Sequence, residues 1–387
     1  MWPITRGGQL DPRAAKIPKT FTMIDTQPQT KTSEIFSAMS NMEHEQLVFC
    51  KDEATGLKAI IAIHNTVLGP AMGGTRMWNY QSEEAAIKDA LRLSRGMTFK
   101  NAIAGLNIGG GKAVIIGDVK KIKNEALMRR FGKFVNSLGG KYWTAEDVNM
   151  SARDMEHIRM ETPYVTGVPE SMGGSGDPSP VTAYGVFIGM KASANKVYGS
   201  DNLLGKKVVV QGAGHVGTYL IEHLVKAGAE VYVSDIFEDK VLDVVNKYKV
   251  KVAHPEELYK MDMDIYAPCA LGATLNDETI PQLKCAIVAG AANNQLDDET
   301  KHAQMLKDRG IVYAPDFLIN SGGITNVYYE QQGNYNRDKV YEQTERIYEV
   351  CQQVINFAYN NDTTTHAAAL QIALNRIKDI GKVKLGY

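Results

Sequence analysis

Two lysines, Lys100 and Lys112, lie in the stretch Met97–Asp118 (MTFKNAIAGLNIGGGKAVIIGD) with little other charge around them. Segments this apolar tend to be buried, and a buried lysine is costly unless it is paired or put to use. Two cationic heads facing a concave site suit an anionic substrate, and one of them can act as a base if burial lowers its pKa. Gly109, Gly110 and Gly111 predict a tight backbone turn that a small molecule can approach. A structural glycine turn beside two solvated lysines explains the same residues, and this stretch alone does not choose between them. Asp147 adds a carboxylate: it follows Lys141–Thr144, which reads as a short strand whose end projects into a cleft. Its competing role is to cap a turn or helix. With Gly73 and Gly74 of LGPAMGGTRMW, these groups suit an amino acid or keto acid, one lysine for the carboxylate and the other with the acid for proton transfer.

A second set carries different chemistry. Val208–Gln211 reads as an apolar strand, followed by Gly212, Ala213, Gly214, His215, Val216 and Gly217 in the pattern G-x-G-x-x-G. A helix from about Val216 to Ala227 comes next, then a strand, Glu230–Ser234, ending at Asp235. Between a strand and a helix, with an acid closing the next strand, this pattern is a dinucleotide fingerprint, whereas a mere glycine turn is the bland alternative. The glycines allow the turn, the pyrophosphate lies on the helix N-terminus, and Asp235 accepts from a ribose 2′-hydroxyl while repelling a 2′-phosphate, which favours NAD. In such sheets ligands sit at the carboxyl ends of strands, which makes Asn293 and Asn294 further cofactor candidates. GLNIGGGKA is not a P-loop, since Ala113 stands where a magnesium-binding Ser or Thr belongs. No His, Cys or carboxylate cluster has metal-ligand spacing.

The elements that must position these groups are legible in outline. Residues 1–32, with Pro3, Pro12, Pro18 and Pro28, read as a mobile extension, and Ser33 as the cap of a short helix. Glu45–Asp52 and Leu57–Asn65 read as adjacent strands, and Leu68–Trp78 as a loop. A helix capped by Ser82 is expected to end at Gly96, with another over Asn124–Leu138. The Gly, Ser and Pro of Glu170–Pro180 mark a boundary or hinge, followed by a helix over Thr182–Lys196. Strands near Val250–Ala253, Ile265–Ala267, Ala286–Ala289 and Ile311–Ala314 continue the second half, and helices fill the chain from Asp338. The fold class expected is α/β, with two domains around a cleft. An N-terminal substrate-binding and catalytic domain, 33–167, is completed by a C-terminal helix, 363–387, and a Rossmann dinucleotide-binding domain spans 168–362.

Composition narrows the partners. The chain has 387 residues, 44% hydrophobic and 22% charged, enough for sizeable cores. A net charge of −1 argues against nucleic acid. Cys50, Cys269, Cys285 and Cys351 are scattered as free thiols of a reducing compartment would be. No apolar run reaches a membrane span and no secretory h-region opens the chain, so a cytoplasmic protein is expected.

The motifs GPAMGGTRMW, DALRLSRGMTFKNAIAGLNIGGGKAVIIGD, TAEDV, GDPSPVTAYGV, CALGATLNDETIPQLK, ANNQL and GIVYAPDFLINSGG occur in order between about Ser33 and Asn326. Together they resemble the glutamate/leucine/phenylalanine/valine dehydrogenase family. The resemblance implies oxidative deamination of an L-amino acid with NAD, giving a 2-oxo acid and ammonium. It implies Lys100 as the holder of the substrate carboxylate, Lys112 as the catalytic lysine and Asp147 as the proton-shuttling aspartate. Gly73 and Gly74 are implied as backbone contacts to the carboxylate, and Thr182 and Asn293 as contacts on the nicotinamide side. Met72, Ala145, Ile324 and Val327 match the family's side-chain pocket. All four are apolar, which disfavours a glutamate side chain and points to L-leucine and other branched-chain amino acids. A phenylalanine or tryptophan dehydrogenase is the alternative within the family, and a non-catalytic NAD-binding regulator the alternative outside it. A homo-oligomer, commonly an octamer, is also implied.

Overall fold

The computed structural model describes residues 35–384. The expectations for residues 1–32 and for Ser33 lie outside them. After helix α1 (Ile35–Asn41) come β1 (Gln46–Asp52) and β2 (Leu57–Asn65), antiparallel across a turn where one was expected. Leu68–Trp78, expected as a loop, contains two short strands, β3 (Ala71–Met72) and β4 (Thr75–Trp78). Both lie parallel to β5 (Gly109–Ile116), and this pairing overrides the local turn signals of Pro70, Gly73 and Gly74.

Helix α2 (Glu83–Ile103) is capped by the Ser82 side chain, which accepts from Ala85 N–H at 3.1 Å. It runs straight through Gly96, the residue expected to end it. Thr98, Phe99, Asn101, Ala102 and Ile103 are buried beyond that point, and their burial outweighs the ~1 kcal/mol that glycine costs a helix interior. Gly109–Gly111 form the first extended residues of β5, paired with β2 and β3, where a turn was expected. Their smallness serves packing: a Cβ on Gly110 would lie 2.6 Å from the Ser94 carbonyl and collide with Thr98. The glycine run lets α2 rest directly on the strand that carries Lys112.

Helices α3 (Val119–Ile122) and α4 (Glu125–Ser137), strand β6 (Tyr142–Trp143) and helix α5 (Ala152–Arg159) complete this half. The first sheet has the order β1-β2-β5-β3-β6 with β4 also on β5. Ile61, Ile63, Ile115, Leu127 and Phe131 form part of its core.

Helix α6 (Ser179–Tyr198), with Pro180 in its first turn, leads to β7 (Lys207–Gln211). Helix α7 (His215–Lys226), β8 (Glu230–Ser234), helix α8 (Glu238–Tyr248), β9 (Lys251–Val252), β10 (Ile265–Pro268), β11 (Ile287–Val288), helix α9 (Lys301–Asp308) and β12 (Val312–Tyr313) follow. This second sheet is parallel throughout, in the order β12-β11-β10-β7-β8-β9. Two halves wound outward from a central first strand are the dinucleotide-binding topology. Among the described residues five helices follow: α10 (Asp316–Ile319), α11 (Gly322–Gln331), α12 (Arg337–Glu345), α13 (Ile347–Asn360) and α14 (Thr365–Lys384).

Helix α14 lies against α2. Arg376 donates to the carbonyls of Ala102 at 3.2 Å, Leu106 at 2.7 Å and Gly105 at 3.2 Å, and to Asn107 Oδ1 at 2.8 Å, covering the carbonyl end of α2. The four cysteines are free thiols. Among the described residues no helix is long and apolar enough to cross a membrane, and no His, Cys and carboxylate group is arranged to hold a metal.

Candidate active site

Strand pairing assembles the site. Thr75 of β4 pairs with Ala113 of β5 on one side and with Glu146 on the other, and its N–H donates to the Ala145 carbonyl at 2.8 Å. That places Asp147 next to Lys112, whose buried Nζ lies 2.8 Å from Asp147 Oδ2. Arg76 of β4 donates from Nε to the same oxygen at 3.0 Å. Burial alone would raise the Asp147 pKa, but Lys112 and Arg76 reverse it and hold the carboxyl at about 2. Lys100, half-buried in the last turn of α2, has a lowered pKa. Burial pulls it down to about 8 against the attraction of Asp316.

Lys100 Nζ makes a long contact, 3.5 Å, with Asn293 Oδ1 beyond β11, so a residue of α2 reaches the second sheet. Gly73 spends its N–H on the Trp143 carbonyl at 3.2 Å and its carbonyl on the Tyr142 hydroxyl at 2.6 Å. The N–H of Gly74 has no backbone partner among the described residues, which makes it the freer of the two to meet a ligand. Met72, Ile324 and Val327 meet in one buried cluster with Leu106 and Ile108. Ala145 is buried but lies outside that cluster.

The second site is built at the end of β7. Gly212 has φ +118, and a Cβ there would lie 2.8 Å from Ala270 N, while a Cβ on Gly217 would run into the Gly212 carbonyl. Gly214, at the N-cap of α7, has nothing within 4 Å of where a Cβ would be. One glycine makes the turn, one leaves space for a ligand, and one lets helix and strand touch, the division of labour a dinucleotide needs. Ala213 N–H donates to Asp235 Oδ2 at 2.7 Å, tying the loop to the acid at the end of β8, and His215 and Val216 begin α7. Asn320, after α10, donates to Asn293 Oδ1 at 2.8 Å and to the Ala291 carbonyl at 3.1 Å. Its own Oδ1 is buried without a partner, an acceptor suited to a carboxamide N–H. Thr182, in the first turn of α6, donates to the Pro178 carbonyl at 2.9 Å and faces Gly323. These residues fit a nicotinamide dinucleotide.

Sequence reasoning missed Arg76, Asp89, Asn320 and Glu330. Arg76 and Asn320 both stand inside motifs that carry the resemblance, TRMW and INSGG, which is a signal available beforehand. Glu330 of α11 had none. Its carboxylate accepts from Gly167 N–H at 2.8 Å, Ser175 N–H at 2.9 Å and the Ser175 hydroxyl at 2.6 Å, gathering the segment between the two sheets.

Comparison with known sequences agrees with this architecture. Residues 44–164 match the profile of the Glu/Leu/Phe/Val dehydrogenase dimerisation domain. Residues 173–237 and 233–384 match that of Glutamate/Leucine/Phenylalanine/Valine dehydrogenase. The leucine dehydrogenase of Bacillus cereus is 51% identical over 356 residues, covering 92% of this chain and 97% of the relative. The L-tryptophan dehydrogenase of Nostoc punctiforme is 47% identical over 350 residues, covering 90% and 98%. A crystal structure of L-tryptophan dehydrogenase from Nostoc punctiforme superposes with a TM-score of 0.80 at 45% identity, over 90% of this chain and 99% of that one. With one family profile over the first sheet and the other over the second, the chain belongs to the glutamate/leucine/phenylalanine/valine dehydrogenase family of amino acid dehydrogenases.

Proposed function

We propose that the protein catalyses NAD-dependent oxidative deamination of L-leucine and other branched-chain L-amino acids to 2-oxo acids and ammonium, and the reverse reductive amination. The observation that carries this reading is Lys112, paired with Asp147, on the strand whose Gly110 pairs with Met72 of the apolar cluster. Strand β5 thus joins the charged pair to the uncharged pocket, carrying Lys112 and lying beside Met72 of β3. NAD, when bound, accepts the hydride from the substrate Cα.

Lys100, cationic below about pH 8, holds the substrate carboxylate, with Gly74 N–H beside it. Lys112 takes the proton of the water that attacks the oxidised Cα–N carbon. Asp147, ionised, meets the substrate nitrogen and steers its protons as ammonia leaves. Met72, Ile324 and Val327 take the aliphatic side chain, where a glutamate carboxylate would be left without a partner. Asp235 prefers the 2′-hydroxyl of NAD to the 2′-phosphate of NADP. We place the substrate domain at 33–167 with 363–387 and the NAD domain at 168–362, and we take the chain to work as a homo-oligomer, whose size light scattering measures.

The high identity to an L-tryptophan dehydrogenase supports a second reading, in which the same pocket takes an aromatic side chain. A panel of L-amino acids with NAD and NADP at alkaline pH decides. NADH formation fastest with leucine, isoleucine or valine is expected. Rates highest with tryptophan or phenylalanine favour the second reading, and no reduction with any amino acid overturns both.

A further inference from the structure

The charge on Asp147 is the end of a longer row. Arg76 Nε donates to Asp147 Oδ2 at 3.0 Å, and its Nη1 to Asp89 Oδ2 at 3.1 Å. Asp89 also accepts from the Tyr80 hydroxyl at 2.7 Å and from Arg92 at 3.3 Å. From the surface inward the charges alternate: Arg92, Asp89, Arg76, Asp147, Lys112. Asp89 stands about three turns before Lys100, which puts both on one side of α2. A single helix therefore presents the lysine facing the substrate cleft and the brace behind Arg76.

Arg76 and Lys112 are not equivalent partners for Asp147. In the proposed reaction Lys112 gains and loses a proton, so its charge on Asp147 comes and goes. A guanidinium keeps its proton at every working pH and offers a planar fork that fixes direction as well as charge. Burial works against the Arg76 charge, but Asp147 and Asp89 outweigh it and raise its pKa. Oδ2 of Asp147 is taken twice, by Lys112 and Arg76, and no described residue donates to Oδ1. We propose that Arg76, braced by Asp89, is a positioning residue for the deamination: it occupies Asp147 Oδ2 throughout the cycle and leaves Oδ1 as the oxygen that meets the substrate nitrogen. This rests on the function proposed above.

The charged and titratable groups facing Asp147 are Lys112 from β5, Arg76 from β4 and, further off, Lys100 from α2 and Tyr142 from β6, with Tyr80 and Asp89 behind Arg76. Arg76 and Lys112 are the ones in contact with the carboxylate. Removing Arg76 therefore deprives Asp147 of a constant countercharge, and the acid becomes weaker.

The test compares Arg76→Ala, Arg76→Lys and Asp89→Asn with the wild type. In Arg76→Ala, kcat is expected to fall about 10-fold or more while NADH affinity is kept. The acidic limb of kcat/KM, which reports the Lys112–Asp147 pair as a unit, should move up by about one pH unit or more, because losing the Arg76 cation favours the protonated form of the pair. Arg76→Lys should return the limb toward the wild-type position without restoring kcat fully, because it supplies charge without the fork. A uniform loss at all pH values with the limb in place would show a merely structural residue and overturn the proposal. If Arg76→Ala does not fold, Arg76→Gln carries the pH test, with an upward shift of the limb expected and no shift rejecting the idea. Asp89→Asn, which keeps the Arg76 charge, carries the structural test. A crystal structure of Arg76→Ala or Asp89→Asn reads the positioning role without turnover: a carboxylate reoriented at Asp147 supports it, and an unchanged one opposes it. Wild-type protein inactive on the amino-acid panel would instead sink the function reading, leaving the Asp147 geometry to be judged by that structure.

Discussion

Lys112 and Asp147 meet at 2.8 Å, although one lies in the middle of β5 and the other in the segment after β6. The strand between them, β4, sets the register that brings them together. Lys112→Ala is expected to lower kcat by about 10²–10⁴-fold, the usual contribution of a positioned acid or base. NADH binding, followed by fluorescence titration, should survive, because the Gly212–Gly217 loop and Asp235 belong to the other sheet. A near-normal rate in this variant would remove Lys112 from the chemistry.

Lys100 gives the pH dependence of substrate binding. Its pKa, pulled down to about 8 by burial, means that the free enzyme loses this cation as pH rises through that value. KM for leucine should therefore climb above about pH 8, while Lys100→Met should show a high KM at every pH. A wild-type KM that stays flat from pH 7 to pH 10 would contradict the role.

Two histidines predict a stability profile. His44 Nε2 lies 2.8 Å from Ser94 Oγ, and His64 Nδ1 lies 2.8 Å from Thr98 Oγ1, both on α2, with the rings 4.7 Å apart. Burial lowers their pKa values to about 4 and about 3, the second with help from His44. The unfolded chain takes up these protons near pH 6.5 and the folded chain does not. Stability complete above pH 6.5 is thus lost as pH falls toward 4, by roughly 2–5 kcal/mol for the pair. Denaturant titrations at pH 7 and 4.5 measure the slope, and replacing both residues with glutamine should flatten it.

Glu330→Ala leaves the Gly167 and Ser175 donors without their acceptor. A loss of about 1–3 kcal/mol is expected by thermal or chemical unfolding. Because α11 also carries Ile324 and Val327, KM for leucine should rise with it. Unchanged stability and KM would mean that solvent replaces the carboxylate.

Where local pattern and tertiary packing agree, the fold is legible in the residues. Glu230–Ser234 has the same ends in the sequence reading and in the sheet, and the G-x-G-x-x-G loop lies between strand and helix as its spacing requires. The failures occur where packing overrides local preference. Gly96 sits exposed on α2 and is carried through by the buried turns that follow it. Gly109–Gly111 look like a turn because their smallness is read as flexibility, whereas it is used to admit the Ser94–Thr98 backbone. At the site, Lys112 and Asp147 stand out by type and setting, but Arg76 does not. An arginine in a glycine-rich segment has no distinguishing feature until β4 is paired with β5 and Asp89 of α2 is found behind it.

The grip of Arg376 on the end of α2 has a consequence for how the protein comes into being. The carbonyls it holds leave the ribosome about 270 residues before it does, some 15–60 s earlier at ordinary elongation rates. During that interval the helix bearing Lys100 lacks its final fastening. A partly made chain would then own the lysines, the aspartate and the glycine loop yet hold Lys100 loosely. The carbonyl end of α2 is thus fastened late in translation, with the helix that contains Arg376.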